Sequence, residues 1–208
     1  MFVASKNIFF FLVFLFSTLV HAEDGLNIVA VGEATRKKDK ILVDAPYTSK
    51  KLSGVQKNMA KELTELFRND FSFYKKYFEV SGRTPSEDSF SGINKSALKK
   101  KETRYLIRLQ VSPGVGDQIK ISFEGYDLIE DSILVEKNEN ISKSELRERG
   151  HEIADEFYRR IQGKESIFTS HIYFVSDRTS RGKETQKELY KMDFDGRNPE
   201  QLTNHDGI

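Results

Sequence analysis

Between Ser53 and Phe67 the apolar residues Val55, Met59, Leu63, Leu66 and Phe67 recur at helical spacing, with Lys57, Lys61, Glu62 and Glu65 between them. Ser53 followed three residues later by Gln56 is a capping-box signature and places the start of that helix. A second helical stripe runs through Leu146, Ile153, Ala154, Phe157 and Ile161, opened by Ser142 and Glu145 as another capping box and closed by Gly163. Elsewhere the pattern is that of strands. "KILVDAPY" (40–47) reads as a buried strand ended by Pro46, because proline cannot donate to a ladder. "FSFYKKYFEVSGR" crosses an aromatic turn into a short strand near Tyr77 to Val80, and "RTPSEDSFSG" is a polar loop. "NKSALKKKETRYLIRLQVS" predicts a short helix and then a strand from Arg104 to Val111, with "PGVGD" as the hairpin loop to "QIKISFEGYDL" and "IEDS" as the turn into "ILVEKNE". Strands thus alternate with helices, which predicts an α/β domain over residues 34–165, a mixed sheet with helices packed on it.

The pattern then changes to strands and turns alone. "SHIYFVSDR" and "ELYKMD" read as strands separated by the polar "RTSRGKETQK", and "FDGRN" carries an Asp195-Gly196 pair suited to a tight turn with positive φ. The series I-Y-F-V-S-D-R, E-L-Y-K-M-D-F-D-G and N-P-x-Q-L-T, from Ile172 to Thr203, resembles the repeat of TolB-like, WD40-like β-propellers. One such repeat makes roughly one blade, and a blade cannot bury its faces alone. Residues 166–208 are therefore expected to be the first blade of a propeller that is incomplete in this chain, with Asp193, Asp195 and Gly196 forming the repeat turn. Ile172, Phe174, Leu189 and Met192 are expected to lack a neighbouring sheet.

The opening of the chain differs from both parts. "MFVASKNIFFFLVFLFSTLVHA" has a short n-region with Lys6, an apolar run and a small-x-small site ending at Ala22, which reads as a secretory signal peptide over residues 1–22, with an uncleaved anchor as the alternative. The expected location is the periplasm. Lys plus Arg number 33 against 32 Asp plus Glu, so net charge recommends neither nucleic acid nor an anionic membrane as partner. Cysteine is absent, which removes disulfides, thiolate metal sites and a cysteine nucleophile together.

What precedes the blade narrows the resemblance. "GHEIADEFYRRIQGKESIFTSHIYFVSD" (150–177) is similar to the join between the α/β domain and the propeller in the TolB family of the Tol-Pal system, at His151, Asp155, Glu156, Gly163, Phe168, Thr169, Ile172, Tyr173 and Val175. The Lys-rich stretch 36–40 and the loop 82–92 depart from the family pattern. The resemblance implies a non-enzymatic periplasmic adaptor that links the inner-membrane TolA complex to Pal and supports outer-membrane integrity and envelope constriction at cell division. It also implies that residues 23–33 are an extended partner-binding segment for the TolA periplasmic domain. Glu23, Asp24, Leu26, Asn27, Ile28, Val29 and Val31 would offer backbone and side chains for strand addition there. Leu26 to Val31 reads equally well as an ordinary first strand of the sheet.

Candidate chemistry is sparse. "HEIAD" (151–155) begins like an H-E-x-x-H zinc motif but carries Asp155 in place of the second histidine, and a capped helix with a solvated polar face is the preferred reading. "GVGD" lacks the helix and the Lys-Ser/Thr pair of a phosphate loop and reads as a hairpin turn. The Lys37-Lys38 and Lys99-Lys100-Lys101 runs read as solvated faces. No G-x-S-x-G is present. No catalytic residue, metal or cofactor is expected. The rival class is the N-terminal part of an exported propeller-containing serine peptidase, whose catalytic domain would lie downstream.

Overall fold

A computed structural model describes residues 37–87, 89–180 and 185–204. The leader (1–22) and the segment 23–33, with Glu23, Asp24, Leu26, Asn27, Ile28, Val29 and Val31, lie outside the described residues.

Strand β1 (Asp39–Asp44) pairs in parallel with β3 (Phe78–Arg83) on one side and with β4 (Thr103–Pro113) on the other. Pro46 interrupts the first strand, and the chain resumes as β2 (Tyr47–Thr48), which adds to the far end of β4. From β4 the chain doubles back through β5 (Ile119–Asp127) and β6 (Ser132–Ile141) as an antiparallel meander. The order β3-β1-β4-β5-β6 is the mixed sheet that the alternating pattern predicts. Its parallel half needs a crossover, and α1 (Gly54–Phe73) supplies it.

Side-chain alternation sorts the two faces. Ile41, Val43, Tyr105, Ile107, Leu109 and Val111 point to one side and join the main core with Met59, Leu63, Phe67 and Phe71 of α1 and with Ile153, Ala154 and Phe157 of α3 (Leu146–Gln162). Leu42 and Leu106 point to the other side, where Leu98 of the short α2 (Lys95–Lys100), Tyr126 and Leu128 make a smaller core. Helices α1 and α3 approach closely at Gly150, where an added Cβ would lie 2.8 Å from Leu63 Cδ1.

The second face is also held by charge. Arg108, 1% exposed, donates to Glu124 at 3.1 Å and to the Gly92 carbonyl at 2.7 Å, with the Tyr47 and Phe90 rings against its guanidinium. Arg83 bonds Asp44 through two nitrogens at 2.6 and 2.7 Å and reaches Glu87 at 3.1 Å. These bonds fasten the loop after β3 across the sheet.

Three local readings are corrected. Val55 is 51% exposed, because Gln56 takes the inward position in the first turn. Gln56 completes the capping box with Ser53 and also donates to the Gln118 carbonyl at 2.8 Å, tying α1 to the β4–β5 hairpin. At α3 the second capping box does not cap the helix: Ser142 N and Oγ both donate to the Glu145 carboxylate, and Glu145 itself is the cap residue, without a side-chain cap bond. Ser142 leaves β6 directly after the buried Ile141, so a turn at 143–145 is needed before the helix can start. Gly163 ends α3 with φ of 69°, as predicted.

The second sheet has the order β7-β8-β9, from β7 (His171–Ser176), β8 (Glu188–Asp193) and β9 (Glu200–Gln201), all antiparallel. Its connection from β8 to β9 is wider than a two-residue turn. Asp193 N donates to Arg197 O and Gly196 N to Asp193 O, each at 2.9 Å, and Gly196 has φ of 83° while Asp195 keeps an ordinary negative φ. The extra length lets Phe194 turn inward and become buried.

Candidate functional site at the junction of helix pair and blade

The segment after α3 is drawn onto the helices by aromatic packing. Phe168 lies 5.5 Å from the Phe71 ring, 5.7 Å from Tyr158 and 5.6 Å from Phe194, and Phe194 meets Phe73 at 5.7 Å. Both Phe168 and Phe194 are buried in the main core. Each such ring stabilises by about 1.5–3 kcal/mol when fully buried, so the β8–β9 turn is anchored by hydrophobic burial and not by its short strands. Asp155, the buried acid of "HEIAD", accepts from Ser166 N at 2.8 Å and Ser166 Oγ at 2.6 Å, and so fixes the exit from α3.

Beside this plug runs a chain of polar groups. His151 is 5% exposed, so it does not lie on a solvated helix face as the sequence suggests. Its Nδ1 is 2.8 Å from Asp70 Oδ2 on α1, and its Nε2 is 3.2 Å from Arg147 on the preceding turn of α3. A guanidinium can only donate, so Nε2 is the acceptor and Nδ1 carries the proton given to Asp70. Arg147 then donates to Asp195 at 2.7 Å and lies 3.6 Å from Asp193. The Phe194 ring stands edge-on to the imidazole at 5.2 Å. Two residues of the repeat turn, Asp193 and Asp195, are thus brought onto α3, whereas Gly196 serves only the turn backbone.

The electrostatics follow from burial. Removal from water pushes the Asp70 carboxyl up to about 6, against the lowering effect of His151. Burial alone would also raise Asp195, but the Arg147 hydrogen bond and the Arg197 amide outweigh it and hold that carboxyl below its usual range. His151, Asp193 and Asp195 present ligand atoms within 4.8 Å of one another, the geometry of a three-ligand cation site. The Arg147 guanidinium already lies against all three, so the cation of this cluster is the protein's own. A cleft of about 800 Å³ opens next to it, lined by Lys143, His151, Ser170, His171, Lys191 and Asp193 among others.

Asp70 and Arg147 were missed by sequence reasoning, although a signal was present. Asp70 falls at helical spacing in the stripe Leu63, Leu66, Phe67, Phe71, and an acid on an apolar face asks for a partner. Arg147 and His151 are four residues apart on one helix face. Among the described residues no helix is long and apolar enough to cross a membrane.

No family model matches the sequence. Curated relatives do. The chain is 27% identical over 168 residues to the Tol-Pal system protein TolB of Ruegeria sp. (strain TM1040), covering 80% of this chain and 36% of that protein. It is 26% identical over 204 residues to the Tol-Pal system protein TolB of Rickettsia canadensis (strain McKiel), covering 96% of this chain and 44% of that one. Among solved structures, the crystal structure of TolB from Acinetobacter baumannii superposes with a TM-score of 0.64 at 18% identity, over 80% of this chain and 39% of that one. The chain therefore spans well under half the length of the relatives it matches. Fold and junction together define an α/β domain continued by the start of a β-propeller. The chain is TolB-like.

Proposed function

We propose that this protein is a periplasmic, non-catalytic adaptor of the Tol-Pal system. It engages the periplasmic domain of TolA through the segment 23–33 and Pal through the propeller that its first blade begins. The observation that carries this reading is the similarity to curated TolB proteins across both parts of the chain, up to 96% of its length. The junction adds a physical rationale: an adaptor transmits force or conformational change only if its parts are mechanically joined, and Phe168, Phe194 and Arg147 join the blade to the helix pair. Relatives named TolB favour this reading over the exported peptidase.

Strand addition gains its affinity from backbone hydrogen bonds, so proline hurts it more than alanine does. Deleting Glu23 to Gly32, or Val29→Pro, is expected to abolish calorimetric binding to the TolA periplasmic domain of the same organism and to leave the thermal melt of residues 37–204 in place. Undiminished binding by the deletion variant removes the segment from the mechanism. A collapsed melt would instead make Leu26 to Val31 a structural strand.

A further inference from the structure

The polar chain across the junction has an imbalance that its geometry makes consequential. Asp70 from α1 and Asp193 and Asp195 from the β8–β9 turn bring three carboxylates together, and Arg147 is the one permanent cation bonded among them. The imidazole of His151 connects the two ends of the set: Nδ1 to Asp70, Nε2 to Arg147. With the ring neutral, every bond in the chain is satisfied, but the group as a whole carries more negative than positive charge in a place largely shut off from water. A proton entering it relieves that excess at either of two atoms. On Asp70 it removes a buried charge. On Nε2 it creates a donor directed at the space shared with Asp193 and Asp195, whose ligand atoms lie within 4.8 Å of the imidazole.

We infer that the Asp70–His151–Arg147–Asp195 chain is a proton-linked latch, which holds the turn of the first blade on the helix pair more tightly as the surroundings become more acidic. Lifting the turn away removes Asp193 and Asp195 from the cluster and admits water to Asp70, so the open junction has a weaker hold on the proton. Linkage then requires that the proton favour the closed form. The Asp70 carboxyl has the matching sign: raised to about 6 in the closed junction, it favours closure below that value, and the advantage fades as pH rises through it. Other charged groups around the latch do not reverse this. His171 of β7 lies 4.0 Å from Asp193, and its protonation adds attraction of the same sign. Lys143 is paired with Glu62, Arg149 with Glu152, and Lys191 with Glu200, so the cleft rim is balanced within itself. Glu148 is exposed to solvent.

Amide hydrogen exchange on the full chain tests the latch. Phe194 N donates to Ser170 O at 3.1 Å and Gly196 N to Asp193 O at 2.9 Å, and both bonds break if the turn lifts. After correction for intrinsic exchange, the opening constant at these two amides is expected to fall about three- to tenfold between about pH 7.5 and about pH 5.5. Amides in the middle of α3 should not share the change. In Asp70→Asn, which keeps an acceptor for His151 Nδ1 but cannot titrate, most of that pH dependence should disappear. Equal pH dependence in the variant and the unaltered protein, or none in the unaltered protein, overturns the latch. If the variant fails to fold, the Asp70 carboxyl carbon resonance of the unaltered protein decides: a midpoint near about 6 supports the latch, and one near about 4 overturns it.

Discussion

Arg108 shows how much a single residue can hold. It is a cation buried in the second face of the sheet, satisfied by Glu124, the Gly92 carbonyl and two rings, and its removal leaves Glu124 unpaired and the loop carrying Phe90 and Gly92 unfastened. Arg108→Ala is expected to lower stability by about 3 kcal/mol, the low end for breaking a buried pair because Asp44 keeps Arg83. A denaturant melt checks it. In the same loop burial alone would raise Glu87, but the Asn94 amide and Arg83 outweigh it and bring the carboxyl down to about 2. A depressed carboxylate contributes stability that is present above its unfolded value and lost as pH falls through the folded one. Melts of Glu87→Gln should accordingly be flatter with pH than those of the unaltered protein between about 4.5 and about 2. Neither residue was legible beforehand. An arginine inside "RYLIRLQVS" sits where alternation alone predicts a polar position, and only the loop that folds over it turns that position inside.

At the scale of elements, the strong periodic signals were readable and their ends were not. The stripe from Met59 to Phe67 and the one from Ile153 to Phe157 are both buried as expected, since spacing alone puts those residues on one helix face. Val55 and the Ser142 box failed because a helix start depends on how the chain arrives, and that is set by Gln56 reaching the hairpin and by Ile141 still lying in β6. The hairpin motif was recognisable from its residues, but its attachment was not, since the partners of Phe194 and Asp195 lie 40 or more positions upstream in α1 and α3. Phe194→Ala tests that attachment. Truncating a buried phenylalanine costs about 3–5 kcal/mol, and most of it should fall on the blade. Amides of β8 should then exchange nearly freely while those of α3 stay protected, as hydrogen exchange will show. Uniform loss of protection in both would mean that the ring supports the whole core.

The molecule as a whole presents one continuous apolar edge. In β7 Ile172 is 40%, Tyr173 62% and Val175 63% exposed, and its outer backbone edge has no strand beside it among the described residues. An uncharged open edge of this kind is a template for pairing. The chain is expected to self-associate as its concentration rises, and Val175→Lys to suppress this in sedimentation velocity. In the proposed adaptor the same edge belongs to the propeller, while the TolA contact lies at the other end of the chain, so the central claim is best tested where the two cannot be confused. A photo-cross-linking residue at Ile28, with a control at the exposed Val115, should give in living cells an adduct identified by mass spectrometry as TolA from Ile28 and none from Val115. Adducts from Ile28 that contain only this chain, or TolA adducts equal from both positions, would contradict the account.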